Sequence, residues 1–221
     1  MALTSPSNLF SPDAGDGYAL VTDLAAMQDS VQTALNTRVR TSTDYLWANA
    51  AARTAQTGMV AGQKGYQTDT GITYRRNAST WKEWESDWIT YTPTLTLFVI
   101  GTGGAAANTA SYKYEHGRVR VRGVAKLGTT GRSVSGFVMT LPVTARALRS
   151  PWQFYPGTAT LLSAAGNVNY FANLAADNAS VTTVTPLSPG TSGMRVGVNG
   201  SAPFTWTSGD AVDYDFTFDP A

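Results

Sequence analysis

The sequence predicts a mainly β protein. It reads as a C-terminal antiparallel β-sandwich head, jelly-roll-like, preceded by a small β-hairpin module and a short N-terminal oligomerising α-helix. Three observations carry this reading. Apolar residues between Val21 and Arg38 recur at helical spacing, and almost everything after Gly62 breaks into short Thr- and Val-rich runs cut by turns. Two runs, around Arg120 and Asp215, alternate charged with apolar side chains at the period of two that a strand imposes.

Residues 1–20 carry Ser5-Pro6, Ser11-Pro12 and Gly15-Asp16-Gly17, turn and extended-chain signals suited to an attachment arm. Residues 21–57 read as a helical shoulder, a short bundle or coiled coil. Leu24, Met27, Val31 and Leu35 fall on one stripe there, with Thr22 as N-cap, Asp23 at the positive end of the dipole and Arg38 at the other. A helix this short is marginal alone. Its stripe is covered either by the β domain of the same chain or by other copies, and the second reading makes those four residues the oligomerisation contacts. A second helical stretch is expected over Asp44–Ala55, with Thr43 as its cap.

Residues 58–89 read as a β-hairpin neck turned at Gly58, Gly62 and Gly65, and residues 90–221 as the sandwich head. Within the head, Arg118-Val119-Arg120-Val121-Arg122 places arginines on one face and valines on the other. Asp213 to Asp219 does the same with acids outward and aromatics inward. Two ladders of equal period and opposite sign are expected on neighbouring strands, sharing a face. The arginine run alone would serve as an anion site.

Composition excludes several functions. Charged residues are 14% of the chain and the formal net charge is +1, so no overall field attracts nucleic acid or an anionic membrane. There is no cysteine, hence no disulfide and no thiolate metal site. The N-terminus lacks a basic and apolar leader, and the apolar run Leu95–Ile100 is far too short to span a bilayer. His116 is the single histidine and sits in Tyr114-Glu115-His116-Gly117, a turn rather than a catalytic base. Gly101-Thr102-Gly103-Gly104 is followed by alanines and no lysine, so it fails as a phosphate loop. Asp13 and Asp16 read as turn residues, not a calcium site. No catalytic residue, metal ligand or cofactor is assigned.

The run Gly65-Tyr66-Gln67-Thr68-Asp69-Thr70-Gly71-Ile72-Thr73-Tyr74-Arg75, followed by Asn77-Ala78-Ser79-Thr80-Trp81, resembles a strand-turn-strand module of minor tail proteins and tail fibres of long-tailed bacteriophages. Trp88 to Leu95, Gly117 to Gly123 and Leu141-Pro142-Val143-Thr144 are similar to the opening of the C-terminal β domain in the same proteins, and Ser208 to Phe218 more loosely so. The order of these segments, more than any one of them, carries the resemblance. It implies a homotrimeric virion protein whose arm mounts on other tail proteins and whose distal head is a β-sandwich.

The expected function is therefore that of a nonenzymatic phage structural protein, a tail fibre or minor tail protein whose head binds a host-surface saccharide. A capsid-attached fibre or decoration protein without a receptor-binding role is the alternative, and a depolymerase is disfavoured by the absence of a legible acid pair. Trp81, Trp84 and Trp88 read as packing at the neck. The candidate ligand residues are Trp152, Phe154 and Tyr155, in an aromatic run bracketed by Pro151 and Pro156 that could present flat rings to sugars.

Overall fold

The computed structural model describes residues 27–31, 33, 45–147, 153–166, 168–176, 181–189 and 195–221. It is mainly β, and divides into two compact units: residues 1–70 with 74–82, and residues 71–73 with 83–221. The division falls inside the hairpin module, not at its ends.

The first unit holds β1 (Tyr45–Trp47), β2 (Lys64–Gln67) and most of β3 (Ile72–Arg76), with the start of β4 (Trp81–Ser86). β1 runs parallel to β2, with Tyr45 opposite Gly65 and Trp47 opposite Gln67. The Trp47 ring lies over Gly65, where an added Cβ would stand 2.0 Å from the indole. Around it pack Trp81 at 4.7 Å and Tyr74 at 6.3 Å between centroids, and the Arg53 guanidinium stacks 3.8 Å above Tyr74.

The helix expected over Asp44–Ala55 is therefore much shorter. Tyr45 and Trp47 stack on each other as alternate residues of a strand, and the helix occupies Ala50–Ala55. Its cap is Asn49, not Thr43: Asn49 Oδ1 accepts from the Ala52 N–H at 3.0 Å. Upstream, residues 27–31 and 33 are helical, with Met27 half-buried and Val31 exposed. Leu24, Leu35 and the 1–20 arm lie outside the described residues.

The second unit contains β5 (Ile89–Tyr91), β6 (Leu95–Val99), β7 (Ala107–Glu115), β8 (Arg118–Lys126), β9 (Ser133–Thr140), β10 (Phe154–Ser163), β11 (Val168–Ala176), β12 (Thr183–Pro189), β13 (Arg195–Gly197) and β14 (Ala211–Phe218). Their order is β7-β8-β14-β10-β11-β12-β9-β6, with β5 on β7 and β13 on β12. The β7–β8 hairpin turns through His116 and Gly117, both in the left-handed region (φ 53° and 79°), as a two-residue hairpin loop requires.

The register aligns the residues of the inner face in rows across the strands, most of them buried. Tyr114, Val119 and Phe218 form one row, and Tyr112, Val121, Phe216 and Gly157 the next. A third runs Tyr91, Ala110, Gly123, Tyr214, Ala159, Ala172, and a fourth passes through Ala125, Val212 and Leu161. Sizes within the third row are complementary. Tyr214 lies across Gly123, whose added Cβ would come within 2.6 Å of both the Tyr214 hydroxyl and the Thr109 carbonyl oxygen. Small residues at 110, 159 and 172 leave room for the rings.

Asp210 is completely buried and fastens two connections. One carboxylate oxygen accepts from the Ala164 N–H at 2.7 Å, and the other accepts from the Thr207 N–H and hydroxyl. Replacing it with alanine leaves those three donors without their acceptor. Asp210→Ala is expected to cost about 3 kcal/mol in urea unfolding, and Asp210→Asn, which keeps one acceptor, distinctly less.

In the third row Tyr214 is buried and Tyr91 half-buried, and neither hydroxyl has a hydrogen-bond partner. Burial pushes both phenols well above the ordinary value of 10.0, with each ring's surroundings adding to the effect: Tyr214 beside Tyr91, and the Asp213 charge beside Tyr214. The folded chain thus keeps protons that the unfolded chain releases, so this contribution to stability is complete below pH 10 and lost as pH rises beyond it. Tyr214→Phe removes an unpaired buried hydroxyl. It is expected to leave stability at neutral pH unchanged or slightly raised, and to flatten its decline above about pH 10 in denaturation curves taken across the alkaline range.

Candidate functional site

Because side chains alternate across a strand, the rows that bury one set of residues present the other set on the outer face of β5, β7, β8, β14, β10 and β11. The arginine and aspartate ladders meet on this face. Arg118 Nε donates to Asp219 Oδ1 at 2.9 Å. Arg120 makes a two-pronged contact with Asp215, Nε to Oδ1 at 2.9 Å and Nη2 to Oδ2 at 2.7 Å.

The register places Asp215 opposite Arg122, so Arg120 reaches it diagonally. Arg122 turns the other way. Its guanidinium carbon lies 3.9 Å above the Trp88 ring, and its Nε is 3.4 Å from Ser111 Oγ. Among the described residues, neither Arg122 nor Asp213 joins an ion pair.

Between these two charges lies a shallow, open cleft of about 470 Å³. Thr90, Thr109, Ser111, Arg122, Val124 and Asp213 line it over a floor of Ala110 and Gly123. The same surface continues past it. Asp213 stands opposite Thr160, and Thr160 opposite Phe171. Phe171 is 68% exposed, and the exposed amides Asn169 and Asn173 flank it on the same face of β11. A cation, an anion, hydroxyls, amides and a bare aromatic ring on one flat face form a set suited to a polyhydroxylated, uncharged ligand.

The aromatic run expected to bind ligand divides. Trp152 lies outside the described residues, and Phe154 is exposed at the start of β10. Tyr155 is 4% exposed, with its ring 6.0 Å from Phe216 and 5.9 Å from Phe218. Successive residues of one strand point to opposite faces, so Phe154 and Tyr155 cannot share a platform, and Tyr155 is a core residue. The tryptophans also separate. Trp81 packs in the first unit, Trp84 covers Gly117 and meets His116 edge-on, and Trp88 supports Arg122.

Phe171 escaped the sequence reading because it sits beside Tyr170 in a run that looks uniformly apolar. The signal was present in its neighbours two residues away, Asn169 and Asn173, against Ala172 and Leu174 on the other face. No protein-family description, curated protein or solved structure matches the chain.

Arg120 and Asp215 are each about half exposed, so the contact is screened by water. A double-mutant cycle of Arg120→Ala and Asp215→Ala in chemical denaturation is expected to return a coupling of about 0.5 kcal/mol, shrinking in high salt. The same cycle on Arg122 and Asp215, despite their direct opposition, is expected to show none.

Proposed function

We propose that this chain is a nonenzymatic structural protein of a phage virion, a tail fibre or minor tail protein, whose C-terminal β unit attaches the particle to a host-surface saccharide. The observation that carries the binding role is the outer face of β7, β8, β14, β10 and β11. Its hydroxyls, its Arg122 and Asp213 outside any ion pair among the described residues, and its bare Phe171 sit on an ordered sheet, where Asp215 and Asp219 offset Arg120 and Arg118. The virion assignment rests on the order of the segments from Gly65 to Thr144 and at Ser208 to Phe218, which resembles that of phage tail proteins.

In this reading the sheet of the second unit closes over its buried rows as a jelly-roll-like antiparallel sandwich. The N-terminal helix joins three copies through Leu24, Met27, Val31 and Leu35, and the arm mounts the trimer on neighbouring tail proteins. Support for the helix contact is local: Val31 is 51% exposed in the single chain, an apolar side chain on a helical segment that another copy would cover.

The test is competition. Purified full-length protein, added to host cells before phage, is expected to block adsorption, and its binding to isolated cell walls should change less than about twofold between low and high salt. A protein that binds neither cells nor walls while the intact particle adsorbs normally would shift the assignment to a capsid-mounted decoration role. Steep salt dependence would point instead to a charged polymer.

A further inference from the structure

Resting on that reading, we infer that the outer face is a linear track for an uncharged oligosaccharide of about three rings, running across the strands from Arg122 to Phe171, and not a pocket for a single sugar.

The two ends are set by different chemistry. At one end the Arg122 guanidinium lies 3.9 Å over the Trp88 ring, with Nε towards Ser111, and Arg122 lines the cleft. At the other end Phe171 offers an open ring with amides on either side. Between them, Asp213 and Thr160 stand in one row, in register with Phe171. β8 and β11 are separated by β14 and β10, three strand intervals, which gives about 14 Å, the length of about three linked pyranose rings. A single ring would reach either the charged end or the aromatic end, never both.

Charge selects the ligand class. Arg118 and Arg120 are paired with Asp219 and Asp215, so the charges left in line from Arg122 to Phe171 among the described residues are Arg122 and Asp213, with Lys126 at the margin beyond Val124. A uronate that gains at Arg122 is repelled at Asp213, whereas a neutral sugar uses Arg122 as a donor and Asp213 as an acceptor for adjacent hydroxyls. The rows beneath fix the spacing, because Tyr214 under Gly123 permits no slip between β8 and β14. Trp88 acts through Arg122 and is a positioning residue.

The experiment titrates the full-length protein calorimetrically with size-defined linear oligosaccharides of glucose, galactose, rhamnose and N-acetylglucosamine, one to six rings long, and with galacturonate oligomers. At least one neutral series is expected to bind with affinity rising from one to three rings and then levelling. Phe171→Ala and Asp213→Asn should each weaken the three-ring ligand at least fivefold, Phe171→Tyr should restore it, and the galacturonates should bind more weakly. Phe171 and Asp213 are exposed, so both variants are expected to keep the wild-type unfolding curve, which is measured alongside. Affinity independent of ring number, a preference for galacturonates, no binding by any series, or binding untouched by both substitutions overturns the track. If the protein still blocks adsorption in those cases, the attachment role stands and only the track falls; if adsorption is also unaffected, both fall.

Discussion

Tyr214 lies across Gly123, and that overlap governs both faces of the sheet. A phenol ring in a row of a close-packed interior needs small neighbours, and the row supplies Ala110 and Gly123 on one side and Ala159 and Ala172 on the other. Only one register satisfies the overlap. A slip of one residue between β8 and β14 would turn arginines inward and valines outward, at a cost far above any local gain. The outer face inherits its order from this inner constraint. Arg122, Asp213, Thr160 and Phe171 lie where they do because the residues next to them are buried in fixed rows.

Competition among charges decides what that face offers. Two arginines have Asp215 within reach, and the diagonal one takes it with a two-pronged contact. Planar guanidinium groups match carboxylates best in that geometry, so a head-on contact from Arg122 would have to displace a better one. Contact with Trp88 and Ser111 gives Arg122 a second favourable position away from Asp215. The outcome is a surface with local donors and acceptors but little net field. In the proposed binding role, recognition there would rest on hydrogen bonds and ring contact, both short in range.

The central strands were legible in the sequence because alternation is a local pattern. Arg118 to Arg122 and Asp213 to Asp219 each declare a face, and matched period makes their pairing readable from the sequence. His116 was legible as a turn because a histidine-glycine pair between two alternating runs suits a two-residue hairpin loop. The site was not legible as a site. Arg122 and Asp213 come together through pairing between segments some ninety residues apart, and Phe171 joins them through two further pairings, none of which a local period encodes. Tyr155 misled for the opposite reason: a cluster of rings suggests a platform only until strand alternation divides it between core and surface. Tyr45 to Trp47 misled because alanine-rich flanks favour a helix, while stacking over Gly65 stabilises a strand that no propensity scale foresees.

The proposed track across a sheet has a physical logic for attachment. The strands are already ordered, so binding costs little conformational entropy in the protein, and the small, shallow contact area limits affinity per site. Short hydroxyl contacts and one ring contact would also release quickly. In the proposed trimer, three such tracks on one rigid body convert weak reversible contacts into sustained attachment, since dissociation then requires all three to open at once. Weak single sites let a particle sample a repetitive polymer without being trapped by its first contact. A deep, high-affinity pocket would forfeit that search, and the sheet's tight inner rows leave no room for one beneath Gly123.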